Sequence, residues 1–201
     1  MRILTLLFLM LSTISYSQIS KPILNNQFFI LGTLSDFEGR RIVPSNLSLV
    51  DNYYPYLSPL VRCIDSILKS SSIKHNIIVE KNRTYLFSDS LAKELNSFYD
   101  FKNYNTSVLS KTNEWEPEST GSLKNNILVD STQIYSFLLG AYLRYGEKLD
   151  SIYKIQITNS FSKASVCQTL LKEIGCAKVS FKHLKSIPGQ HIVYFNPNNS
   201  L

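Results

Sequence analysis

The sequence has few of the residue patterns that build catalytic or metal sites. Its three histidines, His75, His183 and His191, form neither H-E-x-x-H nor H-x-H, and no cysteine pair has zinc spacing. Glycine-rich phosphate loops are also absent. His183 and His191 could meet across the last hairpin, but two such histidines are more often surface residues. We therefore predict no metal, no cofactor and no catalytic residues, and a non-catalytic protein is favoured over an enzyme.

Cysteine is scarce, and the three that occur cannot all pair. Cys167 and Cys176 lie nine residues apart, which on a continuous helix gives a rise of roughly 13 Å, too far for a bridge. A disulfide would therefore have to involve Cys63. Three small buried thiols are an equally good interpretation, because Cys167 lies on the apolar stripe of a predicted helix.

Long apolar runs are missing except at the N-terminus. Arg2 precedes an apolar stretch of about ten residues, which fits the hydrophobic region of a secretory signal and is too short to span a membrane. Ser15 and Ser17 occupy the two positions that signal peptidase reads. The sequence thus predicts a signal peptide over 1–17, cleavage between Ser17 and Gln18, a secreted or periplasmic protein, and no transmembrane segment after cleavage.

The charge balance is mildly basic, with 21 Lys and Arg against 15 Asp and Glu and a net charge of +6. The excess is spread along the chain, so it indicates solubility or weak attraction to anionic surfaces. Since an exported protein rarely meets nucleic acid, we predict no nucleic-acid partner. The hydrophobic content of 44% predicts one globular domain over 18–201, divided into an N-terminal lobe 18–100, a loop 101–124 and a C-terminal lobe 125–201.

The patterning predicts a mixed α+β (α/β) fold in which helices pack on one mixed sheet. The last third has the order β-α-β-α-β-β, which favours parallel pairing before a final antiparallel hairpin. The N-terminal half has one strand, an irregular stretch, a helix, a hairpin and a second helix. The predicted strands are 28–31, 77–79, 84–87, 127–129, 152–158, 179–181 and 191–195, and the predicted helices are 58–70, 90–98, 131–145 and 161–174.

The most unusual local stretch surrounds the only tryptophan. Trp115 lies between Glu114 and Glu116 in the predicted long loop, where an exposed indole could contact a partner or a sugar. An equally good interpretation is that Trp115 anchors the loop to the core. A tyrosine cluster is a second candidate for such contacts, and it comprises Tyr53, Tyr54 and Tyr56.

A third candidate lies where a strand meets a helix N-terminus. Ser160, Ser162 and Lys163 could hold a phosphate or carboxylate together with the free backbone N–H groups there. Helix capping by Asn159 or Ser160 explains the same residues without a ligand, and it is the favoured interpretation.

These observations together predict a periplasmic or surface-exposed binding module without catalysis. Its partner would be another envelope protein or a glycan. Two alternatives remain open: a small exported hydrolase whose site assembles only in three dimensions, and a periplasmic inhibitor or immunity-type protein.

Overall fold

A computed structural model of the chain describes residues 24–109 and 113–197. The predicted signal peptide over 1–17, the cleavage between Ser17 and Gln18 and the domain boundary at residue 18 lie outside these ranges. The described residues contain five helices and ten strands, which confirms the mixed α+β class. The helices are α1 (Asn26–Thr33), α2 (Ser58–Ser70), α3 (Asp89–Asn96), α4 (Ser131–Tyr145) and α5 (Phe161–Glu173).

The strands form three antiparallel sheets rather than the single mixed sheet that was predicted. The first sheet has the order β2-β4-β3, the second β7-β8-β10-β9 and the third β1-β6-β5. No parallel pair occurs among the described residues, so the predicted parallel pairing was wrong. The strands are β1 (Arg40–Ile42), β2 (Leu49–Tyr53), β3 (Asn76–Val79), β4 (Thr84–Phe87), β5 (Tyr99–Leu109), β6 (Trp115–Leu123), β7 (Gly146–Leu149), β8 (Ile152–Thr158), β9 (Ala177–Leu184) and β10 (Gln190–Asn196).

The order helix-strand-strand-helix-strand-strand occurs twice in the chain. The first repeat runs from α1 to β4 and the second from α4 to β10. The sheet orders correspond as well, because β2-β4-β3 matches β8-β10-β9 when the elements are numbered within each repeat. The fold is therefore an internal duplication, and the hairpin β5–β6 with α3 lies between its two copies. No repeat was predicted from the sequence.

The two copies meet through their first helices, α1 and α4. A Cβ atom on Gly140 would fall on the carbonyl oxygen of Phe29, 3.1 Å from its carbon. Reciprocally, a Cβ atom on Gly32 would fall on the carbonyl oxygen of Phe137 and lie 2.9 Å from the nitrogen of Ala141. Only glycine allows such a close approach of two backbones. The contact between α1 and α4 is therefore pseudo-symmetric, because each helix places one glycine against the backbone of the other.

The predicted strand at 28–31 is part of α1. The Asn25 side chain caps this helix by accepting a hydrogen bond from the Phe28 backbone N–H at 3.3 Å, and every residue from Phe28 to Thr33 is buried. A short helix that is apolar all round has no helical period in its sequence, so it cannot be distinguished from a buried strand.

Two other predictions failed around the middle of the chain. Residues 101–124, predicted as a loop, contain most of the hairpin β5–β6, and residues 127–129 form no strand. The hairpin is mostly polar because only its base, near Tyr99 and Leu123, reaches the core. The irregular stretch predicted over 35–57 contains β1 and β2.

The amphipathic elements agree with the sequence. Helix α2 has the predicted bounds and buries Leu60, Val61, Ile64 and Leu68, while α4, α5, β8, β10 and the β3–β4 hairpin also form as predicted within a few residues. Cys63, Cys167 and Cys176 are in the thiol form rather than in disulfides, with Cys63 exposed and the other two buried. Within the described ranges, no helix has both the length and the apolar character needed to cross a membrane.

Candidate functional site

The second sheet has one face covered by helices and one open face. Ile155 and Ile157 of β8 are buried in the core. The alternating residues Lys154, Gln156 and Thr158 therefore lie on the open face. Their side chains form one network with Gln190, whose Oε1 accepts hydrogen bonds from Thr158 Oγ1 at 3.0 Å and from Gln156 Nε2 at 3.3 Å. The open face is thus rich in amides and hydroxyls, with Lys154 at one end.

The register extends this face across the neighbouring strands. Lys154 lies opposite Tyr194, and Gln156 lies opposite Ile192. Ile192 in turn lies opposite Lys182 of β9. A second lysine therefore lies on the same open face as Lys154.

The open face of the first sheet is aromatic instead. Leu86 and Thr84 of β4 are buried, so the alternating residues Arg83, Tyr85 and Phe87 lie on the other side. The rings of Tyr85 and Phe87 stack with centroids 6.3 Å apart.

A cavity of about 720 Å³ opens between the two sheets, and we call it the inter-sheet groove. The first repeat supplies one wall and the second repeat supplies the other, while the ends of α1 and α4 form the floor. The wall residues include Asn52, Tyr54, Tyr56 and Arg83 on one side and Lys154, Gln156, Thr158 and Gln190 on the other, with Asp36, Arg144 and Tyr145 at the floor.

Arg144 at the floor joins the two repeats. Its guanidinium forms a buried salt bridge with Asp51, donates to the carbonyl of Thr33, and donates to the carbonyl of Asn52 at 3.0 Å. Burial, the largest single influence, would lower the pKa of Arg144, but the Asp51 carboxylate together with Tyr145 and Tyr53 outweighs burial and the pKa is raised overall. Arg144 therefore stays charged, and its charge is neutralised within the protein.

Asp36 occupies the matching position in the first repeat. It follows Gly32 by four residues, as Arg144 follows Gly140. Asp36 Oδ1 accepts a hydrogen bond from the hydroxyl of Tyr99 at 2.9 Å. Burial raises the pKa of Asp36 above its ordinary value of 3.8, although nearby Lys163 opposes that shift. The duplicated fold thus places an acidic and a basic side chain at equivalent positions. Arg144 is held by three internal partners, and Asp36 is held through one carboxyl oxygen by Tyr99.

The tyrosine cluster divides between the core and the groove. Tyr53 is fully buried, and its hydroxyl lies 3.3 Å from that of Thr33. Tyr54 and Tyr56 line the groove with their rings nearly parallel, at a centroid separation of 5.6 Å and an angle of 12°. The guanidinium carbon of Arg83 lies 3.4 Å from the centroid of the Tyr54 ring. The structure therefore brings Tyr54 and Tyr56, but not Tyr53, to the groove.

The tryptophan stretch lies elsewhere. Trp115 begins β6 and is 72% exposed, so it does not anchor a loop to the core. Glu116 accepts a hydrogen bond from the backbone N–H of Ser45 at 2.8 Å. Glu114 is exposed next to it, and none of these three residues lines the groove.

The predicted anion site is a helix cap. Ser160 accepts a hydrogen bond from the backbone N–H of Lys163 at 3.4 Å, while Ser162 follows in the first turn of α5. Lys163 is fully buried, and its Nζ donates to the carbonyls of Leu31 at 3.1 Å and Leu34 at 2.6 Å. The ammonium therefore stabilises the end of α1 and cannot contact an anion at the helix surface.

His183 and His191 do meet across the β9–β10 hairpin. Their rings stack with centroids 4.7 Å apart, and burial, followed by the charge of His183, lowers the pKa of His191. Within the described ranges, no cluster of three or more His, Cys, Asp or Glu side chains could hold a metal.

Sequence reasoning missed most of the groove residues, above all Arg83, Lys154 and Gln190. A signal for the duplication was present, since Phe-x-Leu-Gly occurs at 29–32 and again at 137–140. The polar face of β8 could also be read from the alternation over 152–158. The pairing of strands that brings these residues together could not be predicted from the sequence.

Comparisons with known proteins give only distant similarity. No protein-family profile matches the chain, and no curated protein matches its sequence. One similar structure is that of I-DmoI in complex with DNA and Ca, with 12% identity, coverage of 85% of this chain and 82% of that chain, and a TM-score of 0.49. Another is full-length DUF199/WhiA from Thermatoga maritima, with 13% identity, coverage of 89% and 54%, and a TM-score of 0.48. Similarity this distant assigns no function to the chain.

These structures nevertheless contradict the predicted function. The chain was expected to be a secreted or periplasmic module that contacts an envelope protein or a glycan and no nucleic acid, whereas one similar structure was determined with DNA. The exclusion of nucleic acid came from the expected compartment and not from any residue of the folded domain. The secreted or periplasmic location and the cleavage between Ser17 and Gln18 are separate matters, and both stay predictions.

Proposed function

We propose that the protein binds nucleic acid in the inter-sheet groove. The observation that carries this proposal is the pairing of two unlike walls, one with Lys154, a hydroxyl and two amides and one with aromatic rings and an arginine. The similarity to the DNA-bound structure is too distant to support the proposal, which rests on the groove alone. It does not depend on cleavage of residues 1–17, because the groove is built from residues 35–190.

The wall from the second repeat suits a sugar-phosphate backbone. Protein contacts to that backbone come mainly from Lys and Arg and from neutral donors such as Gln, Ser and Thr. Lys154, Gln156, Thr158 and Gln190 supply this set on one open face, and Lys182 extends it across the sheet. Among the residues that the structure describes, the one carboxylate on this wall is Glu147, which pairs with Lys154 at 2.8 Å. The wall is therefore not repulsive to phosphate.

The wall from the first repeat suits bases. Aromatic rings and the guanidinium plane of arginine both stack on nucleobases. Tyr54, Tyr56 and Arg83 present such groups within the groove. The net charge of +6 adds a long-range attraction to a polyanion.

The test is fluorescence anisotropy with labelled oligonucleotides, both single-stranded and duplex, over a range of salt concentrations. Wild-type protein is expected to bind, with affinity that falls as salt rises because bound counterions are released. The variant Lys154→Gln/Lys182→Gln should bind more weakly, with a salt dependence smaller by about two phosphate contacts.

The matched control is Lys69→Gln/Lys172→Gln, which removes the same charge from the exposed surfaces of α2 and α5. If the control weakens binding as much as the groove variant does, the attraction is general and the groove is not the site. Absence of binding to every oligonucleotide at low salt overturns the proposal.

A further inference from the structure

Tyr54 and Tyr56 form a stacked pair of exposed tyrosines that lines the groove. Their segment follows β2 and is fixed by a 3-10 turn over Pro55–Leu57, in which the Leu57 N–H donates to the Tyr54 carbonyl at 2.9 Å. Leu57 itself is buried and anchors the turn to the core. The turn therefore positions the two residues side by side, and their rings are nearly parallel although Tyr54 is 45% exposed and Tyr56 is 73% exposed.

Packing does not explain this exposure. The preceding residue, Tyr53, is the tyrosine of this segment that contributes to the core, since it is fully buried. Tyr54 and Tyr56 contribute little to the core, yet Arg83 lies over the Tyr54 ring at 3.4 Å and extends the stack. The arrangement leaves a flat aromatic surface at the mouth of the groove with a cation beside it.

We infer that the Tyr54–Tyr56 stack holds an unpaired nucleobase, so that the groove prefers single-stranded over duplex nucleic acid. This inference rests on the proposed function and names its substrate class. In a duplex the faces of the bases are covered by their neighbours, whereas an unpaired base offers a free face to an aromatic side chain. The neighbouring Arg83 and the Lys154 wall supply the charge that the flanking phosphates require.

The chemistry of the stack sets the expected preference. Stacking on tyrosine tolerates every base, because each base has a π-face, so the preference is for strandedness rather than for sequence. Removing one stacking ring is expected to weaken single-strand binding about tenfold. It should leave the weaker duplex binding nearly unchanged, since that binding depends on phosphate contacts.

The experiment compares a labelled single-stranded 12-mer of deoxythymidine, a duplex of equal length and a 12-mer of abasic sites. The proteins are wild type, Tyr56→Ala and Tyr56→Phe. Tyr56→Ala should lose about tenfold in affinity for the deoxythymidine strand and nothing for the abasic strand, while Tyr56→Phe, which keeps the ring, should bind like wild type. A strand containing 2-aminopurine gives a second readout, because stacking quenches its fluorescence.

The matched control is Trp115→Ala, which removes an aromatic side chain of nearly the same exposure, 72% against 73% for Tyr56, from outside the groove. An equal loss with Trp115→Ala, or full single-strand affinity with Tyr56→Ala, overturns the inference. Duplex binding as tight as single-strand binding also overturns it and leaves the proposed function standing. Failure of all three oligomers to bind wild-type protein counts against the proposed function itself.

Discussion

Replacing Gly140 with alanine should destabilise the protein, although alanine is the better helix former. The added Cβ atom would fall on the carbonyl oxygen of Phe29 and lie 3.1 Å from its carbon and 3.2 Å from the nitrogen of Thr33. These are backbone atoms of a buried helix and cannot rotate away. Helices α1 and α4 would have to separate by roughly 1 Å, and overpacking of this kind costs about 3 kcal/mol at its upper end.

The gain in helix propensity offsets part of that cost. Alanine in place of glycine within a helix contributes about 1 kcal/mol. The net loss in the free energy of unfolding is therefore about 2 kcal/mol, measured by urea denaturation followed by far-ultraviolet circular dichroism. The control is Leu139→Ala at the adjacent, solvent-facing position, which should cost less than about 1 kcal/mol. A Gly140→Ala variant that is as stable as wild type, or more so, would refute the reasoning.

Two further perturbations address the charges at the groove floor. Arg144→Met should lower the free energy of unfolding by about 3–5 kcal/mol, because it leaves the buried Asp51 carboxylate without its partner, and denaturant unfolding measures the loss. Asp36→Asn should change the pH dependence of stability. Since the folded-state pKa of Asp36 is raised above 3.8, the wild type loses stability as pH rises from about 4 through that pKa, and the variant does not. The stability of the variant relative to the wild type should therefore increase as pH rises above about 4.

The Arg144→Met and Asp36→Asn variants each have a control measurement. Arg41→Met breaks the surface pairs of the exposed Arg41 with the exposed Glu38 and the half-buried Glu118, and it should cost less than about 1 kcal/mol. An Arg144→Met loss of that size would mean that burial of the Arg144–Asp51 pair is unimportant. For Asp36→Asn, a stability difference from wild type that stays constant with pH would show that the Asp36 carboxyl is not perturbed on folding.

The sequence correctly predicted the elements that have one buried face and one solvent-exposed face. Helix α2 and strand β8 are such elements, and their apolar residues recur at the helical and strand periods. Helix α1 was missed for the opposite reason, because all of 28–33 is buried and no polar face marks a period. The hairpin β5–β6 was missed because it is mostly polar and its base alone packs on the core.

The candidate site was less predictable than the fold. Tyr54 and Tyr56 were identified as binding candidates because aromatic residues cluster there, and they do line the groove. Lys154 and Gln190 were missed because what unites them is the pairing of β8 with β10 over a long stretch of chain. Lys163 was misassigned since its position after a helix cap predicts an exposed ammonium, whereas the packing of α5 against the end of α1 buries it. Tertiary pairing and burial, which periodicity does not encode, decided each of these outcomes.

The contacts of Arg144 have a consequence for the energetics of any ligand. One guanidinium ties the end of α4 to the carbonyls of Thr33 and Asn52 and to the Asp51 carboxylate, so the two halves are clamped at the base of the cleft between them. Because the Arg144 contacts fix the width of the cleft, the cleft is preorganised for a ligand. Binding then costs less conformational entropy than it would between two mobile lobes, so more of the contact energy is retained as affinity.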